Sequence, residues 1–303
     1  MKIGIIGMGW VGSSVAISTL HSGLATELLL HDINAAVAEG EALDLAHGAG
    51  FYPAATVRVG SLDDMLQADA VVIAAGRGGK PNESRLDLLR DNAATVHDLA
   101  TRLQGLKGLL VVVTNPVDVM TRVATAASQL PPSRVVGTGT MLDTARLHRM
   151  VGDRLRIDPR AVHAYVIGEH GDSEVVAWST ARAGGRPLRK WEGWNTAVEA
   201  AVAEQVRRAA YEIIARKGAT NHAIGLVTAN LLRALLRDER RVLTVSRVQE
   251  GALGVRDVAI SLPAVVGLEG AAFVVEPELS EDEQVAFQRS AQVLANAAAA
   301  LAM

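Results

Sequence analysis

The stretch KIGIIGMGWVG at residues 2–12 decides the fold of this chain. Its first residues form a short apolar run, which is typical of a buried strand, and the string G-x-G-x-x-G follows at once. In that string Gly7 permits a tight turn, Gly9 lets the backbone approach a pyrophosphate, and Gly12 lets a helix pack on the strand. The strand, the turn and the helix N-terminus together predict a phosphate-binding site.

Asp32 indicates which nucleotide this site binds. It closes the next apolar run, 20 residues beyond Gly12, where a carboxylate can accept hydrogen bonds from an adenosine ribose. A carboxylate would repel a 2'-phosphate, and the following Ile33 and Asn34 supply no cation. We therefore predict NAD, and not NADP, as the cofactor. The alternative is a glycine turn that binds no ligand.

Apolar runs alternate with helical patterns through the first half of the chain. The runs cover residues 3–6, 28–30, 57–59, 70–75, 109–113 and 135–136, and the helical patterns cover 11–20, 35–46, 86–103 and 117–129. Strands that are continuously Val, Ile and Leu are typical of a parallel sheet covered by helices on both faces. The pattern predicts an α/β fold with a doubly wound parallel sheet of the Rossmann type.

The regular alternation of apolar runs and helical patterns ends at about residue 141. Long helical patterns at 196–217 and 221–237 precede strand-like stretches at 241–248, 255–262 and 271–275. Ser280 is followed by three acidic residues, 281–283, in the spacing of a capping box, which predicts a terminal helix. We predict a dinucleotide-binding domain over residues 1–141 and a second, α+β domain over residues 142–303. Ligands of such sheets bind outside the carboxyl ends of the strands, so the second domain is expected to close a cleft there.

Composition and charge exclude several classes of function. The chain has 303 residues and no cysteine, which removes disulfides, thiolate metal sites and cysteine nucleophiles. A formal net charge of −3, with scattered Lys and Arg, gives no reason to bind nucleic acid or an anionic membrane. The N-terminal apolar run is too short for a signal peptide or a membrane span. These features predict a cytoplasmic protein without a metal site.

A second constellation suggests acid–base chemistry. His170 lies in a glycine-flanked polar turn after an apolar strand, and Asp143 and Arg146, three residues apart, share one face of a predicted helix. A histidine suits the proton transfer that accompanies hydride transfer, and a carboxylate can orient it while a guanidinium binds a substrate carboxylate. The alternatives are an incidental loop histidine and a surface ion pair.

Together these strings resemble the NAD-dependent lactate and malate dehydrogenases and their L-2-hydroxyacid relatives, essentially from end to end. They resemble most closely the lactate and 2-hydroxyisocaproate branch. The strings that carry the resemblance are GMGWVG with Asp32, AGRGGKPNESRLDL at 75–88, TNPVD at 114–118, GTGTMLDTAR at 137–146 and GEHGDS at 168–173.

The resemblance implies a role for each matching residue. His170 would be the acid in ketoacid reduction and the base in the reverse reaction, Asp143 would hold its tautomer, and Arg146 would bind the substrate carboxylate. Arg85, on a lid, would polarise the ketone oxygen. Asn115 would contact both substrate and nicotinamide. Thr220 would line the substrate pocket, and the implied cofactor contacts are Gly7, Gly9, Val11, Gly12, Asp32, Gly76, Thr114 and Thr138.

The chain departs from the family pattern at the residues that meet the substrate side chain. Gly79 stands where lactate enzymes usually have Gln and malate enzymes Arg, and Ala219 and His222 flank Thr220 at positions that are often bulky or aromatic. This argues against malate and favours a 2-hydroxyacid bulkier than lactate. In the alternative, neighbouring side chains refill the space and lactate remains the substrate. Malate is the third possibility, if Arg77 replaces the missing arginine.

Two other classes of protein share features with this sequence. A catalytically silent dinucleotide-binding protein would have no need of the full set of charged residues named above. NAD-dependent glycosidases need a metal, typically bound through cysteine, which this chain lacks. The expected partner is therefore a small 2-ketoacid or 2-hydroxyacid, with no nucleic acid or membrane, in a homotetramer or homodimer.

Overall fold

The computed structural model describes residues 1–78 and 85–301, of residue 85 the backbone only. The strands are β1 Lys2–Ile6, β2 Glu27–His31, β3 Thr56–Val59, β4 Ala70–Ile73, β5 Leu109–Val112, β6 Val135–Gly137, β7 Val162–His163, β8 Val166–Ile167, β9 Val175–Val176, β10 Arg182–Ala183, β11 Arg186–Pro187, β12 Arg241–Glu250, β13 Arg256–Gly267 and β14 Gly270–Val274. The helices are α1 Trp10–His21, α2 Ala35–His47, α3 Leu62–Met65, α4 Arg85–Arg102, α5 Val117–Ser128, α6 Met141–Leu155, α7 Thr196–Lys217, α8 His222–Leu236 and α9 Glu281–Ala299.

The six apolar runs of the first half form a parallel sheet in the order β3-β2-β1-β4-β5-β6. All residues of β4 and β5 are buried, as their unbroken Ala, Val, Leu and Ile content predicts. The strand order reverses between β1 and β4, which is the position where open α/β sheets bind ligands. The predicted doubly wound fold is confirmed.

Helices cover both faces of this sheet. On one face Ile3 and Val111 pack with apolar residues of α1 and α8, among them Val15 and Leu235. On the other face alternate strand residues, such as Val112, pack with α4, α5 and α9. Because side chains alternate along a strand, each strand contributes to both apolar layers.

The second half of the chain contributes to the same sheet. Strands β12, β13 and β14 continue it beyond β6 in antiparallel pairing, with Ser246 opposite Gly137. A separate apolar cluster, which includes Leu147, Trp194 and Val206, joins α6 and α7 to the short strands β7 and β10. The terminal helix α9 begins at the predicted capping box, in which Ser280 and Glu283 exchange hydrogen bonds.

Candidate active site

The glycine string forms the turn between β1 and α1. Gly7 has a φ of +93°, and a Cβ there would lie 2.5 Å from the Cα of Ala75. A Cβ on Gly12 would lie 1.9 Å from the carbonyl oxygen of Gly7, so helix and strand meet closely at this point. A Cβ on Gly9, by contrast, would meet no atom within 4 Å, which leaves open space in front of the helix N-terminus.

The Asp32 carboxylate is fixed at the end of β2 by two backbone donors. Its Oδ2 accepts a hydrogen bond from the N–H of Met8 at 2.7 Å, and its Oδ1 accepts one from the N–H of Asn34 at 2.9 Å. A carboxylate oxygen can accept more than one hydrogen bond, so both oxygens keep capacity for a ribose hydroxyl. Asp32 thus contacts the glycine turn through Met8.

These groups line a cleft of about 530 Å³ at the carboxyl ends of β1, β2 and β4. Gly7, Gly9, Asp32 and Gly76 all contribute to its wall. The open space at Gly9 fits a pyrophosphate at the N-terminus of α1, and the carboxylate fits the adjacent ribose. The residues present therefore fit NAD.

The other predicted cofactor contacts lie at the ends of neighbouring elements. The Thr114 side chain is buried at the end of β5, and a Cβ on Gly76 would lie 2.6 Å from its Cγ2. Val11 is partly buried in the first turn of α1, and Thr138 is buried just after β6. Asn115 lies exposed, two residues before α5 begins.

The three residues predicted for acid–base chemistry come together in the structure. His170 Nδ1 donates a hydrogen bond to Asp143 Oδ2 at 2.5 Å, and Arg146 Nη1 donates one to Asp143 Oδ1 at 2.7 Å. The Asp143 side chain is 3% exposed and that of His170 is 25% exposed. The carboxylate is thus buried beneath an imidazole that still reaches solvent.

This geometry shifts the ionisation of both partners. Burial alone would lower the pKa of His170, but the Asp143 carboxylate, through its charge and its hydrogen bond, raises that pKa to about 9. Burial would raise the pKa of Asp143, but His170 and then Arg146 hold that pKa below its usual value. The imidazole is therefore protonated at neutral pH, with Nδ1 bound to Asp143 and Nε2 remaining to donate a proton.

A second buried carboxylate fixes the backbone of the histidine loop. The N–H of His170 donates to Asp118 Oδ2 at 2.7 Å, and the hydroxyl of Ser261, on β13, donates to Asp118 Oδ1 at 3.5 Å. Gly168, with a φ of +91°, begins the loop and forms a backbone bridge with Ser261. The loop is thereby attached to α5 and to β13, which come from different parts of the chain.

Asp118 and Asn92 hold parts of the site together in ways that the sequence did not predict. The Asn92 side chain, on α4, donates to the backbone oxygen of Asn115 at 2.9 Å and accepts from the N–H of Arg77 at 2.9 Å. It therefore holds together two loops of the cleft. Asp118 is the last residue of the string TNPVD, which carries part of the family resemblance, but no pattern in the sequence indicated a role for Asn92.

The structure does not bring three other predicted pocket residues into the cluster of His170, Asp143 and Arg146. Gly79 lies outside the described residues, and of Arg85 only the backbone is described, as the first residue of α4. Thr220 is partly buried between α7 and α8. The neighbouring Asn221 donates to the hydroxyl of Ser14 at 3.0 Å, which attaches this turn to α1.

Residues 1–78 and 85–301, which the structure describes, also bear on membrane and metal binding. They contain no helix that is both long enough and apolar enough to cross a membrane. They contain no cluster of three or more His, Asp or Glu side chains arranged to hold a metal ion. The cytoplasmic location stays a prediction.

Sequence comparison identifies relatives along the whole chain. Residues 1–137 match the model of the lactate/malate dehydrogenase NAD-binding domain, and residues 140–302 match that of the α/β C-terminal domain of the same family. An L-lactate dehydrogenase of Thermus aquaticus is 44% identical, over 99% of this chain and 99% of the relative. One of Kosmotoga olearia is 43% identical, over 97% and 94% respectively.

Solved structures agree with the sequence relatives. The minor L-lactate dehydrogenase of Enterococcus mundtii superposes with a TM-score of 0.96 at 38% identity, over 98% of this chain and 97% of that one. A lactate dehydrogenase from a Medee basin deep-sea metagenome library also gives 0.96 at 38% identity, over 100% and 99%. With its NAD-binding cleft and its His-Asp-Arg cluster, the chain belongs to the lactate/malate dehydrogenase family and is an NAD-dependent oxidoreductase.

Proposed function

We propose that this chain interconverts a 2-ketoacid with a single carboxylate and the corresponding L-2-hydroxyacid. The observation that carries the proposal is the buried Asp143, which holds both the acid group, His170, and the anion-binding group, Arg146. Bound NADH supplies the hydride that reduces the carbonyl carbon. The protein must supply the proton, an anchor for the carboxylate and a site from which water is excluded.

His170 supplies the proton. With Nδ1 donating to Asp143, the proton on Nε2 passes to the carbonyl oxygen as that oxygen gains charge, and the neutral imidazole takes a proton back in the reverse reaction. Asp143 stabilises the imidazolium and orients the ring. It is a positioning residue, since it acts through His170.

Arg146 orients the substrate. One of its nitrogens donates to Asp143, which leaves the other guanidinium donors for a bidentate contact with a carboxylate. In the proposal Arg85 polarises the ketone oxygen, Asn115 donates to it beside the nicotinamide, and Thr220 lines the pocket. The division into a cofactor domain, 1–141, and a substrate domain, 142–303, is also part of the proposal.

The proposal also concerns which side chain the 2-ketoacid carries. The relatives named as L-lactate dehydrogenases support pyruvate and lactate as the reference pair. Gly79 and Ala219 are small residues, and His222, two residues after Thr220, is exposed, which supports a substrate with a bulkier side chain. A glycine cannot pair with a second carboxylate, and the guanidinium of Arg77 is bound to Asp91 at 2.7 Å, so malate is not favoured.

The test is the loss of NADH absorbance with a panel of 2-ketoacids: pyruvate, 2-ketoisocaproate, phenylpyruvate and oxaloacetate. We expect turnover with the first three and the lowest kcat/KM with oxaloacetate, because a glycine at position 79 offers no cation to its second carboxylate. A buried charge without a partner costs several kcal/mol, so the expected discrimination is at least about tenfold. The highest kcat/KM with oxaloacetate would contradict the proposal.

We also propose that the enzyme is a homodimer or a homotetramer. Large apolar side chains are exposed on α1 and α8, with Trp10 at 61%, Ile17 at 39% and Leu226 at 65%. Ile17 and Leu226 line the same surface groove between these helices. Such a surface is typical of a contact between subunits.

A further inference from the structure

Glu174 is a buried acid that the mechanism above does not use. It follows the histidine loop directly, and its N–H donates to the carbonyl oxygen of Gly171 at 3.2 Å. Only 6% of the residue is exposed, and its Oε1 has no hydrogen-bond partner among the described residues. An ionised carboxylate in such a place is costly, whereas a neutral one is far less so.

Charged groups of three elements surround Glu174. They are Asp143 and Arg146 of α6, His170 of the loop, and Arg207 of α7. Arg207 is itself bound to Glu204 through Nη1 at 2.7 Å, and its buried Nε finds no hydrogen-bond partner within residues 1–78 and 85–301. Glu174 therefore has cations nearby, but no paired contact with either of its neighbouring arginines is formed.

Burial and then the adjacent Asp143 charge raise the pKa of Glu174 to about 8, against the opposing charges of His170, Arg207 and Arg146. The hydrogen-bond geometry points the same way, because a buried oxygen without a donor favours the protonated acid. Near pH 7 Glu174 is therefore mainly neutral.

The protonation of Glu174 sets the charge that the substrate meets. With Glu174 neutral, the cations His170 and Arg146 are opposed in this site by the carboxylates of Asp143 and, behind His170, Asp118. Ionisation of Glu174 adds one more negative charge in a poorly solvated place, where it repels an entering substrate carboxylate. Binding of an anion should then weaken.

We propose that Glu174 acts as a neutral acid in this site and that its loss of a proton above neutral pH weakens binding of the anionic substrate at Arg146. The inference rests on the proposed function, since it concerns the binding of a 2-ketoacid. It assigns Glu174 an effect on KM rather than on the proton transfer itself. The residue thereby limits the alkaline range in which the enzyme binds its substrate.

The experiment compares wild type with Glu174→Gln, which keeps the shape of the side chain but cannot ionise. KM and kcat for pyruvate are measured at saturating NADH from pH 6.5 to 9.5. We expect the ratio of the wild-type KM to the variant KM to rise at least about fivefold over this range, with little pH dependence in the ratio of kcat values. A constant KM ratio overturns the inference.

Glu192→Gln is the matched control, because it removes the same charge at an exposed position. Its KM profile should follow that of wild type. If Glu192→Gln changes the profile as Glu174→Gln does, the effect comes from net charge and the inference fails.

Proton uptake gives a second readout that does not depend on a variant. Wild type saturated with NADH is mixed at pH 9 with oxamate, an unreactive analogue that carries a carboxylate and an amide, and the protons taken up are counted with an indicator dye. Since His170 and Glu174 are both partly deprotonated at this pH, we expect uptake of more than one proton per site. Uptake of one proton or fewer overturns the inference, even if Glu174→Gln fails to fold.

The outcomes separate this inference from the proposed function. If wild type neither reduces any 2-ketoacid of the panel nor binds oxamate, the proposed function fails and the inference fails with it. If wild type is active while the KM profiles of wild type and Glu174→Gln depend on pH in the same way, the inference alone is wrong.

Discussion

At the scale of single residues, the burial of Asp143 determines how His170 behaves. A carboxylate exposed to water perturbs a neighbouring histidine weakly, but one that is 3% exposed holds the imidazole firmly in its protonated form. The pKa of about 9 keeps the proton donor charged at neutral pH. At pH 7 the free site therefore holds the proton that ketoacid reduction requires.

Asp143→Asn tests this pair through pH dependence. Loss of the negative charge should lower the pKa of His170, so that the alkaline fall of kcat/KM for pyruvate moves toward lower pH. We expect kcat/KM at pH 7.5 to fall about 100-fold, in the range typical of general acid catalysis. The measurement is the profile of kcat/KM between pH 5.5 and 10, and an unchanged alkaline limb would contradict the account.

The same pair links stability to pH. The pKa of His170 is raised on folding, so its contribution is fully present below about pH 6.5, the usual pKa of histidine, and is lost as the pH rises through about 9. The melting temperature of wild type should therefore exceed that of Asp143→Asn by more at pH 6 than at pH 9.5. A constant difference would show that the pair is not linked to protonation in this way.

The sequence predicts which residues belong to the site better than it predicts how deeply each of them is buried and what each contacts. The spacing of Asp143 and Arg146 indicated a shared helix face, which the structure has, because that spacing follows from helix geometry alone. Glu174 was not recognised, although it directly follows the string GEHGDS, because glutamates are usually exposed and nothing local indicates burial. Its environment depends on α6 and α7, which are distant in sequence.

At the scale of elements, the strands of the parallel sheet were predictable, because short continuous runs of apolar residues are typical of strands that are buried on both faces. The place of β12, β13 and β14 in the sheet was not predictable, since it depends on the pairing of β12 with β6, which joins segments about 110 residues apart. The apolar strand before the histidine turn, which the sequence predicts as one strand over residues 162–167, is divided into β7 and β8, which pair with different partners.

The turn between β1 and α1 offers a matched pair of substitutions. Gly12→Ala would bring a methyl group to 1.9 Å from the Gly7 carbonyl oxygen and force helix and strand apart. We expect a loss of about 1–3 kcal/mol in the free energy of unfolding, as for other overpacked sites. Gly9→Ala meets no atom within 4 Å, and its φ of −77° suits alanine, so its melting temperature should be near that of wild type.

NADH binding distinguishes the two roles of these glycines. Gly9→Ala should weaken the Kd for NADH at least about tenfold, because its methyl group occupies the space where the backbone approaches the pyrophosphate. Equal NADH affinity in Gly9→Ala and wild type, measured by fluorescence titration, would place the pyrophosphate elsewhere.

At the scale of the whole molecule, the cofactor cleft and the acid–base cluster are connected by one sheet. The cleft lies at the ends of β1, β2 and β4, while Asp143 lies on the helix after β6 and His170 is held by α5 and β13. Because β13 belongs to the same sheet as β1, the proton donor and the cofactor site share one rigid support. The low aromatic content suits this architecture, since Ala, Val, Leu and Ile fill the apolar layers on both faces.

The most direct test of the account is the oxidation of NADH by pyruvate, measured with wild type and with His170→Asn. Asparagine is near in size but cannot donate a proton as an acid, and His170 is not among the residues that line the cleft at Gly9 and Asp32. We predict that kcat falls at least about 1,000-fold while the Kd for NADH stays within about twofold of wild type. Equal turnover by the two proteins would contradict the assignment of His170 as the proton donor and, with it, the mechanism proposed for this chain.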